Sequence, residues 1–136
     1  MKKLNWLFAL LFVLAFTACD DDDNDVTLDT TAPVITITSP TANASYAAGA
    51  QVPFKATVTD NEGLDKLTVS VTDAGGTVRQ VDDQKIRDFL NDNTKKDLEL
   101  NIGLDANAAA GSYTIIVTAT DKQGNNASQS IGFTVM

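Results

Sequence analysis

From residue 34 to residue 136, apolar and polar side chains alternate with a period of two, and turn residues break the alternation at short intervals. A helix cannot use that pattern, because its faces repeat every 3.6 residues, whereas successive side chains of an extended strand point to opposite sides. The chain must therefore form half-buried strands that share a core. The first run is Val34-Ile35-Thr36-Ile37-Thr38, closed by Ser39-Pro40. The second, Gln51 to Thr59, turns Val52, Phe54, Ala56 and Val58 inward, and Pro53, which lacks an N–H for a ladder, predicts an edge or bulge at its start. Leu67, Val69 and Val71 mark the third run, and Thr77 to Val81, after Gly75-Gly76, a short fourth. Leu98, Leu100, Ile102 and Leu104 mark the fifth, Tyr113, Ile115, Val117 and Ala119 the sixth, and Ile131, Phe133 and Val135 the seventh.

About seven strands with turns every 8 to 12 residues predict an all-β fold, an immunoglobulin-like antiparallel β-sandwich. Gly111-Ser112-Tyr113 opens the sixth strand. A tyrosine there either donates its hydroxyl to upstream backbone at the corner between strands E and F or is an ordinary half-buried residue, and both readings are structural. The alternation fails in Asp82-Asp83-Gln84-Lys85-Ile86-Arg87-Asp88-Phe89-Leu90, where Ile86, Phe89 and Leu90 fall at i, i+3 and i+4. That spacing predicts a short helical insertion near residues 82–92, with Asp82 as N-cap and Val81 and Ile86 as a hydrophobic staple. A helix so short is stable only when packed, so it plugs an open edge of the sandwich or presents a recognition surface.

The N-terminus has a different order. Lys2 and Lys3 precede an apolar run from Trp6 to Phe16, and Thr17 and Ala18 then lead to Cys19, the single cysteine. This is the charged, apolar, small-residue order of a secretory signal. A run of this length is well short of the about 20 residues that cross a hydrocarbon core. Phe16-Thr17-Ala18-Cys19 resembles a bacterial lipobox, with Phe16 where Leu is usual, and the resemblance implies cleavage before Cys19 and its lipidation. Asp20, Asp21, Asp22 and Asp23 resemble the acidic export signal of Bacteroidota surface lipoproteins, and they would also serve as a solvated spacer. The expected plan is a signal peptide over 1–18, a lipidated Cys19 and acidic flexible tether over 19–32, and the sandwich over 33–136. It implies a protein anchored in the outer membrane and exposed at the cell surface.

Composition narrows the chemistry. The chain carries 10 basic and 18 acidic residues, and six of the acids lie at Asp20 to Asp23, Asp25 and Asp29. No basic patch offers a footing for nucleic-acid phosphates. There is no histidine, and the only cysteine is assigned to lipid, which excludes a disulfide, a Cys/His zinc site and a His-based triad. The clustered carboxylates off the turns, Asp82 with Asp83 or Asp88, read as the negative first turn of a helix, so no enzyme is expected.

Ala32-Pro33-Val34-Ile35 with Ser39-Pro40, Phe54 to Asp60, and Tyr113 to Asp121 followed by Gly124-Asn125 resemble bacterial immunoglobulin-like modules of secreted and surface proteins. The resemblance implies a non-catalytic binding, adhesion or structural role. One alternative is a glycan-binding accessory lipoprotein of a polysaccharide-uptake system, for which Tyr46 and Phe89 would have to supply an aromatic platform. The other is a calcium-dependent adhesin. The loops after the second and sixth strands share one pole in this topology, as does the chain near Asp29, so Asp60, Glu62 and Asp121, with Asp29, could offer oxygen ligands to Ca2+. Cadherin-like modules bind calcium at such a junction. Against it, Asp73 with Gly75 repeats the pattern at the other pole, and Asp and Gly so spaced are also what tight turns require.

Overall fold

A computed structural model describes residues 27–88 and 94–136. Cys19 and Asp20 to Asp23 lie outside the described residues, as do Phe89 and Leu90. The chain runs β1 (Val34–Ser39), β2 (Ala44–Tyr46), β3 (Gln51–Thr59), β4 (Leu64–Thr72), β5 (Val78–Gln80), α1 (Gln84–Arg87), β6 (Lys95–Gly103), β7 (Gly111–Asp121) and β8 (Asn126–Val135). A three-stranded sheet, β1-β3-β6, faces a five-stranded one, β2-β8-β7-β4-β5. This is the immunoglobulin-like sandwich that the alternation predicts.

The inward positions are those of the period-two pattern. Val52, Phe54, Ala56 and Val58 of β3, Leu98, Leu100 and Ile102 of β6, and Ile115, Val117 and Ala119 of β7 are buried. Among the described residues, the core lies between Ile35 and Val135. Pro53 sits beyond the end of β1: the β1–β3 register is broken between Ile37 and Ser39, and Ser39 is paired with Lys55. The start of β3 is thus an edge on the β1 side, as Pro53 requires, while the other side pairs with β6 through Pro53 and Asn101.

Two elements differ from the expectation. Among the described residues the strands number eight, because after Ser39-Pro40 the chain crosses to the other sheet and lays β2 parallel to the end of β8. The helix is shorter than 82–92, a single turn whose N-cap is Asp83 and not Asp82, with the Asp83 carboxylate accepting from the Lys85 N–H at 2.8 Å. Shifting the cap by one residue removes the staple register between Val81 and Ile86 and leaves no acid in the first turn. Asp82 instead pairs with Arg87 at 3.4 Å, and Asp88 accepts from the Gln84 side chain. Since β5 pairs with Ser70–Thr72, the first half of β4 has no strand beside it on that side among the described residues. There α1 packs against β4 and β6, with Ile86 buried, so this turn closes an open flank.

The Tyr113 hydroxyl donates to the Ala109 carbonyl at 2.8 Å, four residues upstream, and its ring packs at 5.5 Å from Phe133. Gly111, two residues earlier, has φ 144°, and a Cβ there would lie 2.8 Å from the Ala74 Cβ, so the corner is built around the absence of a side chain. Replacing Tyr113 by Phe keeps the ring and removes one hydrogen bond. The expected loss is about 1 kcal/mol, read as a lower urea midpoint at unchanged slope.

Candidate metal centre

One pole of the sandwich gathers three segments: residues 29–31 ahead of β1, the β3–β4 loop and the β7–β8 loop. The loops are joined by the Lys122 N–H donating to the Gly63 carbonyl at 3.1 Å. Residues 29–31 are held by two amides. Asn61 Nδ2 donates to Asp29 Oδ1 at 3.0 Å, and Asn125 Nδ2 donates to the Asp29 carbonyl at 2.9 Å. This end of the expected tether is therefore docked on the domain.

Each aspartate is placed by turn chemistry. Asp60 Oδ2 accepts from the N–H groups of Glu62 at 3.0 Å and Gly63 at 2.8 Å. Asp121 Oδ1 accepts from the N–H groups of Gln123 and Asn125, and its Oδ2 from Asn125 Nδ2. Asp29 Oδ1 accepts from Asn61 and from the Thr31 N–H. Asn61 foremost, then Thr31, hold the Asp29 carboxyl below the usual carboxylate range, so it stays ionised at neutral pH.

Turn chemistry leaves two oxygens over. Asp29 Oδ2 and Asp60 Oδ1 are buried and have no hydrogen-bond partner, although Asp60 is only 9% exposed. Asp73 at the opposite pole shows what a purely local turn looks like: its Oδ1 takes the N–H groups of Gly75 and Thr77 at 2.9 Å each. Asp29, Asp60 and Asp121 each bring one carboxylate oxygen to within 4.8 Å of the others. Of the residues the sequence marks for a cation, the structure gathers Asp29, Asp60 and Asp121; Glu62 is exposed and stands outside the group. Such a cluster has the donor chemistry of a hard-cation site, all oxygen and negatively charged.

Elsewhere the candidates thin out. Tyr46, one of the two aromatics available to a sugar, is half-buried and packs edge-on against Phe133 at 5.7 Å. Phe89, the other, lies outside the described residues. The large apolar side chains exposed among the described residues are Leu28, Val34, Val78 and Met136, none of them aromatic. A concavity of about 430 Å3 at the opposite pole is lined by Asp73, Arg79 and Asp105 among others, but Asp73 is committed to its turn and Arg79 Nη2 donates to the Gly103 carbonyl at 3.0 Å.

Among solved structures, the chain is similar to the fibronectin(III)-like modules of Clostridium thermocellum CbhA, with 21% identity over 75% of this chain and 94% of that one and a TM-score of 0.49. It is also similar to a Niemann-Pick type C2 protein from the Japanese carpenter ant, with 8% identity over 78% and 90% and a TM-score of 0.50. CopC from Methylosinus trichosporium OB3b follows, with 19% identity over 75% and 93% and a TM-score of 0.42. At these identities the likeness is one of fold. No curated protein matches the chain. A family model described as Domain of unknown function (DUF4625) matches residues 17–136.

Proposed function

We infer that this chain, which belongs to the DUF4625 family, works as a lipid-anchored, extracytoplasmic immunoglobulin-like module with a non-catalytic binding or structural role. The observation that carries the reading is the junction at Cys19: a basic and apolar leader, two small residues, one cysteine, then four aspartates. Cleavage of the Ala18–Cys19 bond frees the Cys19 amino group for acylation, and the side-chain thiol, which that bond does not involve, carries lipid as well. Each buried CH2 of an acyl chain contributes about 0.8 kcal/mol, so two or more chains hold a small domain firmly to a bilayer. The aspartates cannot bind an anionic membrane surface and keep the module off it or mark it for export, as in the Bacteroidota surface lipoproteins they resemble.

The fold supports a scaffold role. The described core lies within the sandwich, and the segment at Asp29 is docked on one pole, where a chain running from an anchor at Cys19 would arrive. The glycan-binding alternative lacks an exposed aromatic platform among the described residues.

The test is metabolic labelling with a fatty-acid analogue. Wild-type chain is expected to take up label and to partition with membranes, and Cys19→Ala to lose both while its precursor retains the leader. Replacing Asp20 to Asp23 by alanine should leave labelling intact and reduce accessibility to protease on whole cells. Labelling that persists in Cys19→Ala would rule out this anchor.

A further inference from the structure

Three carboxylates drawn together by independent segments repel one another, and burial strengthens the repulsion. The turns account for Asp60 Oδ2, Asp121 Oδ1 and Asp29 Oδ1, yet Asp60 Oδ1 and Asp29 Oδ2 remain buried without a partner, on two separate parts of the chain. A buried acceptor left unpaired costs about 1–3 kcal/mol, and more when charged, so two at one place point to a ligand that both would face. An ionised carboxylate oxygen can only accept, so the ligand is a hydrogen-bond donor or a cation, and three carboxylates at one place favour the cation.

We propose that Asp29, Asp60 and Asp121 form a Ca2+ site that is complete only when the segment ahead of β1 is docked, so that calcium fixes the tether against the sandwich. Ca2+ binds oxygens at about 2.3–2.6 Å, so its ligands stand no more than about 4.6–5.2 Å apart, and the three oxygens, all within 4.8 Å of one another, meet that limit. The carboxylates give between three and six of the six to eight oxygens the ion takes, and water completes the shell. Asp121 can coordinate while keeping its hydrogen bonds, because a carboxylate has about four lone-pair sites. The amides of Asn61 and Asn125 hold Asp29 at the site from either side, through its carboxylate and its carbonyl.

This site stands apart from the proposed lipid anchor, and its test uses residues 20–136, which contain every described core residue and no cysteine. Thermal unfolding and calorimetric titration are run in chelator, then with CaCl2, then with MgCl2. Ca2+ is expected to raise the melting temperature by several degrees and to bind with Kd near 0.1–1 mM, about the range of extracellular modules. Asp29→Asn, at a half-exposed position outside the core, should fold as wild type in chelator and weaken Ca2+ at least tenfold. Asp60→Asn should do the same while keeping an acceptor for the Glu62 and Gly63 amides. Backbone 15N relaxation of residues 27–33 should show ordering on addition of Ca2+ in wild type and not in Asp29→Asn. The proposal is overturned if Ca2+ leaves wild type unchanged up to 5 mM, if both variants respond as wild type does, or if Mg2+ acts equally.

Discussion

Phe54→Ala is expected to lower stability by about 3–5 kcal/mol and the melting temperature by roughly 15–25 °C. Phe54 is fully buried, on the middle strand of the three-stranded sheet, opposite Leu100 on β6. Its ring fills the gap between two sheets whose backbones are fixed by their own ladders. The walls therefore cannot close on the void, and the cavity cost adds to the lost transfer energy. Domains of this size are stable by only about 5–15 kcal/mol in total, so one side chain removes a large share. Urea unfolding of residues 20–136 measures it. A loss below about 1 kcal/mol would mean that the sheets do collapse onto the site and that the interior is packed far more loosely than described.

The second large effect is expected at Asp121. Its side chain is 1% exposed and takes three hydrogen bonds, from Gln123 N at 2.8 Å, Asn125 N at 2.9 Å and Asn125 Nδ2 at 2.8 Å. Bonds to a charged acceptor are worth about 1.5–3 kcal/mol each, and alanine leaves the donors without partners, so Asp121→Ala should cost about 3 kcal/mol or more even in chelator. Asn125 is the link outward, because its amide also donates to the Asp29 carbonyl. Loosening the Asp121 turn should therefore release the docked segment, visible as faster amide exchange at residues 27–33. Asp121→Asn keeps one carbonyl acceptor and should cost less than half as much. Equal stability of Asp121→Ala and wild type in chelator would show that the loop is held by its backbone alone.

The outcome at these positions separates what was legible in the sequence from what was not. Strand β3 could be bounded from its residues alone, since nine positions alternate without a break and every even one from Val52 to Val58 is buried. The Tyr113 corner was legible for a similar reason: a fixed local spacing meets a local bond. Strand β2 was not, because Ala44-Ser45-Tyr46 is too short to show a period and its partner lies almost 90 residues away. The cap at Asp83 was one of two adjacent aspartates, and only the position of α1 against β4 and β6 chooses between them. At the pole, the sequence could place Asp60 and Asp121 on adjoining loops. It could not show that Glu62 points to solvent, nor which oxygens the turns leave over. Turn motifs state which amides a carboxylate will take, but an unpaired oxygen depends on everything around it.

The pairing of β2 with β8 has a mechanical consequence. The start of β1 and the end of β8 lie at opposite poles, since β1 begins opposite Thr59 and β8 ends opposite Gly111. Tension applied across the two ends of the sandwich would therefore run along the strands. Strand β2 is parallel to β8, so the same tension slides the two past each other, and the rungs from Ala44–Phe133 to Tyr46–Val135 bear it together instead of opening one by one. The backbone bonds from Asn43 N to the Gly132 carbonyl and from Met136 N to the Tyr46 carbonyl extend that patch at both ends. Under such tension a strand of three residues would act as a shear clamp.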